Sequence, residues 1–140
     1  FIADEVKPFI AARYRLNGED VVIGESLAGL FLLDTLRVQP DLFKHYIAIT
    51  PSLWWDGMSL STGAADWLSK VPSSISLYLS SGDEGGDHQR GMDQLVASLK
   101  SAAVKNVRWT YVPRPTEQHS TIYHGAALDA LRWTFPGQKK

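Results

Sequence analysis

The six residues Gly24-Glu25-Ser26-Leu27-Ala28-Gly29 constrain this chain more than any other stretch. In front of them runs Asp20-Val21-Val22-Ile23, a short β-branched run of the kind a buried parallel strand shows. Behind them, Leu30-Phe31-Leu32-Leu33-Asp34-Thr35-Leu36-Arg37 reads as a buried helix. Strand, Gly-x-Ser-x-small-Gly, helix is the pattern of a nucleophile elbow. Its small residues have a steric cause. A serine at so sharp a turn is strained, and bulk two positions before or after it would clash as strand and helix close on each other. Gly24 and Ala28 meet that demand, and Gly29 lets the helix pack closely. The turn is expected to lift the Ser26 hydroxyl clear of the sheet. It should also aim the Leu27 N–H at the place where an oxyanion would form.

Several function classes are set aside by composition. The formal net charge is −1, with no long run of one sign, so neither nucleic acid nor an anionic membrane surface is an expected partner. No apolar stretch is long enough to span a bilayer. With no cysteine, thiol catalysis, disulfides and cysteine-ligated zinc are excluded. At 140 residues, 44% of them hydrophobic, one domain with a real core is expected.

The remaining elements follow from periodicity. Ile2, Val6, Phe9, Ile10 and Tyr14 form one helical stripe, within which Pro8 should kink the helix or mark a start near Val6. Asn17-Gly18 should end it, with glycine as a left-handed cap. After the elbow helix come a second strand, Tyr46–Thr50, a loop with two adjacent tryptophans, Trp54 and Trp55, and a short helix over 61–70 carrying Ala64, Ala65, Trp67 and Leu68. The third strand is Ile75–Ser81, followed by the polar loop 82–87. A helix capped by Asp87 then carries Met92, Leu95, Val96, Leu99 and Ala103. The fourth strand, 107–112, alternates as an edge strand would, and a last helix shows Tyr123, Ala127, Leu128 and Leu131. Alternation of strand and helix at this spacing predicts an α/β fold: a parallel sheet flanked by helices, with reactive groups at the carboxyl ends of the strands.

Candidate catalytic groups fall at those ends in the order Ser26, then Asp83, Glu84 or Asp87, then His119, the chain order of α/β-hydrolases. Each type has a task. A serine hydroxyl attacks well only if a base takes its proton. Neutral imidazole does this near pH 7 and returns the proton to the leaving group. A carboxylate fixes the imidazole tautomer and stabilises the imidazolium. Of the histidines, His45 precedes a strand on the opposite rim and is expected at the surface. His88 opens a helix near the acidic loop. His124 follows His119 by one helical turn, and His119 alone sits in the loop after the last strand. The residues alone do not separate Asp83 from Glu84, and Asp87 fits a helix cap as well as a catalyst. Trp54 and Trp55 are expected to contribute a pocket wall suited to an aromatic or long acyl group.

Gly24–Phe31, then Tyr46-Ile47-Ala48-Ile49-Thr50-Pro51-Ser52-Leu53-Trp54-Trp55-Asp56, then His119-Ser120 before a final helix, resemble the esterases of the esterase D and enterochelin-esterase-like group of α/β-hydrolases. The resemblance covers nearly the whole chain, and Pro-Ser-Leu-Trp-Trp is its most specific part. It implies a serine hydrolase of small-molecule carboxylic esters working through an acyl-enzyme, with no cofactor and no metal. Relatives act on siderophore esters and S-formylglutathione, and some transfer the acyl group to an alcohol. In this group the acid often falls two residues after the glycine that ends the third strand, which maps to Glu84 and ranks Asp83 second.

One departure stands out. The chain begins at Phe1, inside a helix, and members of the group are usually about twice as long. Residues 1–140 are therefore expected to form a single domain without the N-terminal part of the fold, which would hold earlier strands and the loop giving a second oxyanion donor. Such a chain would present a sheet edge suited to self-association. Two rival functions remain: an acyltransferase on the same triad, and a non-catalytic interaction module.

Overall fold

The computed structural model of the protein describes residues 1–102 and 104–137. Ala103, placed above on the buried stripe of a helix, lies outside the described residues. The strands are β1 (Val21–Glu25), β2 (His45–Ile49), β3 (Ile75–Ser81) and β4 (Val107–Pro113), hydrogen-bonded in the order β1-β2-β3-β4. All three pairings are parallel. Every residue of β2 and β3 is buried, which is why both read as nearly unbroken apolar runs, while β1 and β4 are half-buried edges.

When spatial order equals chain order, right-handed crossovers put every connecting helix on one face. That face carries α2 (Leu27–Val38), the short helices α3 (Ser59–Thr62) and α4 (Ala64–Ser69), and α5 (Gly86–Ser101). Leu33 and Leu36 of α2, Leu68 of α4 and Leu95 of α5 pack there against Tyr46, Ala48, Leu77 and Leu79. The alternate strand residues Ile47, Ile49 and Tyr78 face the other way, where the final helix α6 (Ile122–Thr134) covers them. Among the described residues no helix is long and apolar enough to cross a membrane.

Several local expectations change. The stripe of α6 is turned by one position: Ile122, Ala126, Ala130 and Thr134 are buried, while Tyr123, Leu128 and Leu131 are exposed. The helix is apolar on more than one side, and the alanines let its backbone approach the sheet. Helix α1 (Lys7–Ala11) starts after Val6 with Pro8 in its first turn, following a π-helical turn at Ile2–Val6. It ends at Ala12, well before Gly18. That glycine is left-handed (φ 79°) but caps no helix. The predicted helix over 61–70 is two helices broken at Gly63, with Ala65 exposed. Asp87 is not a cap either, because Gly85 takes the N-cap position of α5 and Asp87 pairs with Arg90 at the surface.

His45 is the largest correction. It is buried, not at the surface. Its Nδ1 lies 2.7 Å from Ser76 Oγ, and its Nε2 lies 2.7 Å from Glu19 Oε2. Ser76 is its register partner across β2 and β3, so strand pairing itself supplies the hydrogen bond that permits burial.

Tyr46 gives the fold an alkaline limit. Its hydroxyl accepts the Phe43 N–H and reaches the Pro40 carbonyl, tying down the turn after α2. Burial pushes its pKa from 10.0 up to about 12. The unfolded chain therefore gives up this proton first, and stability present below pH 10 is lost as pH rises toward 12. Tyr46→Phe should flatten the fall of the thermal midpoint across that interval, measured by circular dichroism against pH.

Candidate active site

Ser26 stands between the end of β1 and the start of α2 with φ 56° and ψ −121°, a backbone conformation costing an L-residue about 1–3 kcal/mol. Three bonds hold it there. Its N–H donates to Ile49 O (3.1 Å), and its carbonyl accepts from Leu30 N (3.0 Å) and Ser52 N (3.0 Å). The two glycines beside it have the predicted steric cause, while Ala28 is exposed. A Cβ on Gly24 would lie 2.5 Å from the Ala28 carbonyl oxygen, and one on Gly29 would lie 3.0 Å from Pro51 Cα. Leu27 is the first residue of α2, where an N–H has no partner within the helix.

The loops after β3 and β4 are joined before any side chain is considered. Asp83 N–H donates to Glu117 O at 2.9 Å, and a Cβ on Gly82 would sit 2.6 Å from that same oxygen. The loop after β3 thus rests directly on the loop after β4. Gly82→Ala must part them, which should cost about 1–3 kcal/mol of stability. If the groove above it is catalytic, the same change lowers kcat/KM by more than this loss of folded protein explains. Thermal unfolding and steady-state kinetics on the same preparation separate the two effects.

Above that contact lies a groove of about 500 Å³ lined by Ser26, Leu27, Ser52, Trp54, Glu84 and His119, together with Asp83, His88 and Gln118. The Glu84 side chain is 8% exposed and divided between two imidazoles: Oε1 is 3.1 Å from His119 Nδ1, and Oε2 is 2.9 Å from His88 Nδ1. Oε1 is buried without a well-aligned donor, so the approach of His119 is close in distance but off the N–H direction. The His88 ring lies 6.0 Å from that of His119 and 5.8 Å from that of Trp54. The hydroxyl of Ser26 is 3.2 Å from that of Ser52. No hydrogen bond joins Ser26 to His119 among the described residues; in catalytic pairs such bonds often tighten only around a substrate.

Ser26, Leu27, Trp54, Glu84 and His119 are therefore brought to one groove. Asp83 reaches it too, but it is exposed and makes no close approach to either ring, whereas Glu84 touches both. Trp55 is not in this groove; it lines a neighbouring hollow. His124 is exposed beside Tyr123 on α6 and lies outside the groove. Two contributors were not assigned roles from sequence. Ser52 is 1% exposed beside the nucleophile candidate, and its only signal was membership of Pro-Ser-Leu-Trp-Trp. His88 carried a signal in its spacing of four residues from Glu84 along the chain.

Solved structures share this fold. The BES protein from Bacillus cereus superposes with a TM-score of 0.86 at 22% identity, covering 96% of this chain and 52% of that one. An IroE-like serine hydrolase from Shewanella oneidensis gives 0.80 at 26% identity, covering 95% of this chain and 45% of that one. The fold is thus that of the α/β-hydrolase-like esterases. Among relatives by sequence, ferri-bacillibactin esterase BesA of Bacillus subtilis is 27% identical over 95% of this chain and 49% of its own length. The chain spans about half the length of these proteins. The family model described as "Putative esterase" matches residues 1–125, and the chain belongs to that family.

Proposed function

We propose that the protein hydrolyses carboxylic esters through Ser26, His119 and Glu84. The observation that carries this reading is the convergence of three strand-end loops on one groove, with His119 Nδ1 3.1 Å from a nearly buried Glu84 oxygen. Glu84 holds His119 in the tautomer that leaves Nε2 free to take the proton of Ser26. Ser26 Oγ attacks the ester carbonyl, and the Leu27 N–H is one donor to the resulting oxyanion. His119 passes the proton to the departing alcohol, then activates the water that hydrolyses the acyl-enzyme. The strained elbow supports the assignment, since backbone strain is retained where the surroundings impose it for a task.

Relatives named as a ferri-bacillibactin esterase and a siderophore enterobactin esterase make siderophore esters the first natural substrates to assay. The decisive experiment is labelling with a fluorophosphonate. Peptide mass spectrometry should place one adduct on Ser26, competed by ester substrates. An unlabelled Ser26 in protein that still cleaves esters would overturn the assignment.

A further inference from the structure

A second and larger hollow, about 750 Å³, opens beside the groove. Its apolar lining is Leu27, Leu30 and Phe31 on the outer face of α2, and Leu60 and Trp67 on α3 and α4, with Trp55 alongside, and charged side chains make up much of the remainder. Leu27 lines both spaces. The adjacent tryptophans divide between them: Trp54 faces the groove and Trp55 the hollow, with ring centroids 5.7 Å apart at 62°. Leu27, Phe31 and Trp55 are each more than half exposed, an unusual concentration of large apolar surface. The turn that carries Trp55 is itself strained: Asp56, Gly57 and Met58 follow one another with φ of 51°, 58° and 64°. Left-handed non-glycine residues persist only where something holds them, and they gather at ligand sites.

We propose that this hollow receives the acyl arm of the ester, and that the arm is uncharged and aromatic or broadly apolar. The inference rests on the serine-hydrolase reading above. Direction follows from proton transfer. The alcohol must depart on the His119 side, because His119 protonates it. The acyl remainder stays on Ser26 and extends the other way, across Leu27, and the hollow opens there. No residue of the His119–Glu84–His88 cluster borders it. Its volume falls in the range of small-molecule sites. The charge state of the arm follows from the charged part of the lining. Arg37 pairs with Asp34 at 2.7 Å and Lys70 with Asp66 at 2.7 Å, leaving the carboxylate of Asp56 in excess of the cations. An anionic arm would meet net negative charge, whereas an aromatic ring meets Phe31 and Trp55.

The test uses p-nitrophenyl esters that share one leaving group and differ in acyl arm: acetyl, hexanoyl, phenylpropanoyl and the anionic succinyl. The protein should favour phenylpropanoyl over acetyl in kcat/KM by about 10- to 100-fold, the range one buried aromatic group gives, and should discriminate against succinyl. Trp55→Ala and Phe31→Ala should each collapse that ratio about tenfold, with the change in KM rather than kcat. Both side chains are largely exposed, so truncation leaves the core intact. Leu128→Ala, on the exposed side of α6, should leave the ratio as it was. A ratio unmoved in both hollow variants would overturn the proposal. So would a ratio that responds instead when the alcohol is varied at constant acetyl. Failure of the hydrolase reading looks different: no acetyl ester is cleaved and Ser26 takes no label. Phenylpropanamide binding, followed by tryptophan fluorescence and weakened by Phe31→Ala, would still report on the hollow in that event.

Discussion

Ser26→Ala is expected to reduce ester hydrolysis on the order of a millionfold, and His119→Ala by a similar factor. The double variant should lose no more than either single one. In the proposed mechanism Ser26 and His119 act on one proton, so removing either partner removes the whole nucleophilic path, and a second deletion has nothing left to take. Additive losses would mean that the two side chains work independently. More than about a tenth of the activity surviving in either single variant would exclude the assignment. Stability should move the opposite way at this position. With φ 56° and ψ −121°, residue 26 is held where glycine is tolerated better than any L-residue. Ser26→Gly should therefore raise the unfolding free energy by about 1 kcal/mol while abolishing turnover, a trade expected of strain kept for chemistry. Denaturant midpoints of the serine, alanine and glycine forms, read at constant m-value, measure it.

The features legible in sequence were those that sterics dictate. Gly24 and Gly29 announced the elbow because a Cβ there would lie 2.5 Å from Ala28 O and 3.0 Å from Pro51 Cα. The strands of the sheet centre announced themselves because burial on both faces leaves no polar position to confuse the period. What failed was whatever depends on a partner distant in the chain. The burial of His45 requires Glu19 and Ser76, and nothing local to residue 45 indicates either. The buried side of α6 could not be chosen by hydrophobicity, since alanines at 126 and 130 win through close approach to the sheet while Leu128 and Leu131 stay outside. Trp54 and Trp55 could be placed on the active rim, but which ring faces which space depends on the left-handed turn at 56–58.

Glu84→Gln is expected to lower kcat by about ten-thousandfold, and Asp83→Asn by no more than about threefold. The residues alone did not separate the adjacent carboxylates, the family resemblance ranked Glu84 first, and in the fold their side chains part: Asp83 is exposed and Glu84 lies beside both imidazoles. Asp83 has its N–H fixed to Glu117 O and its side chain in solvent, where water screens whatever field it exerts on His119. Glu84 is withdrawn from water at 8% exposure, and an imidazole nitrogen lies within 3.1 Å of each of its oxygens, so its charge acts at short range in a poorly screened place. Glutamine keeps the shape but presents an amide where a carboxylate is required. The imidazole then loses the partner that fixes its tautomer, and the imidazolium formed during attack loses its counter-charge. The loss should fall on kcat with KM nearly unchanged, because the carboxylate contacts histidine and not the ester. Glu84→Asp, one methylene shorter and still charged, should recover part of the rate. Equal losses in Asp83→Asn and Glu84→Gln would mean that the two carboxylates share the histidine, and a larger loss in Asp83→Asn would transfer the role to Asp83.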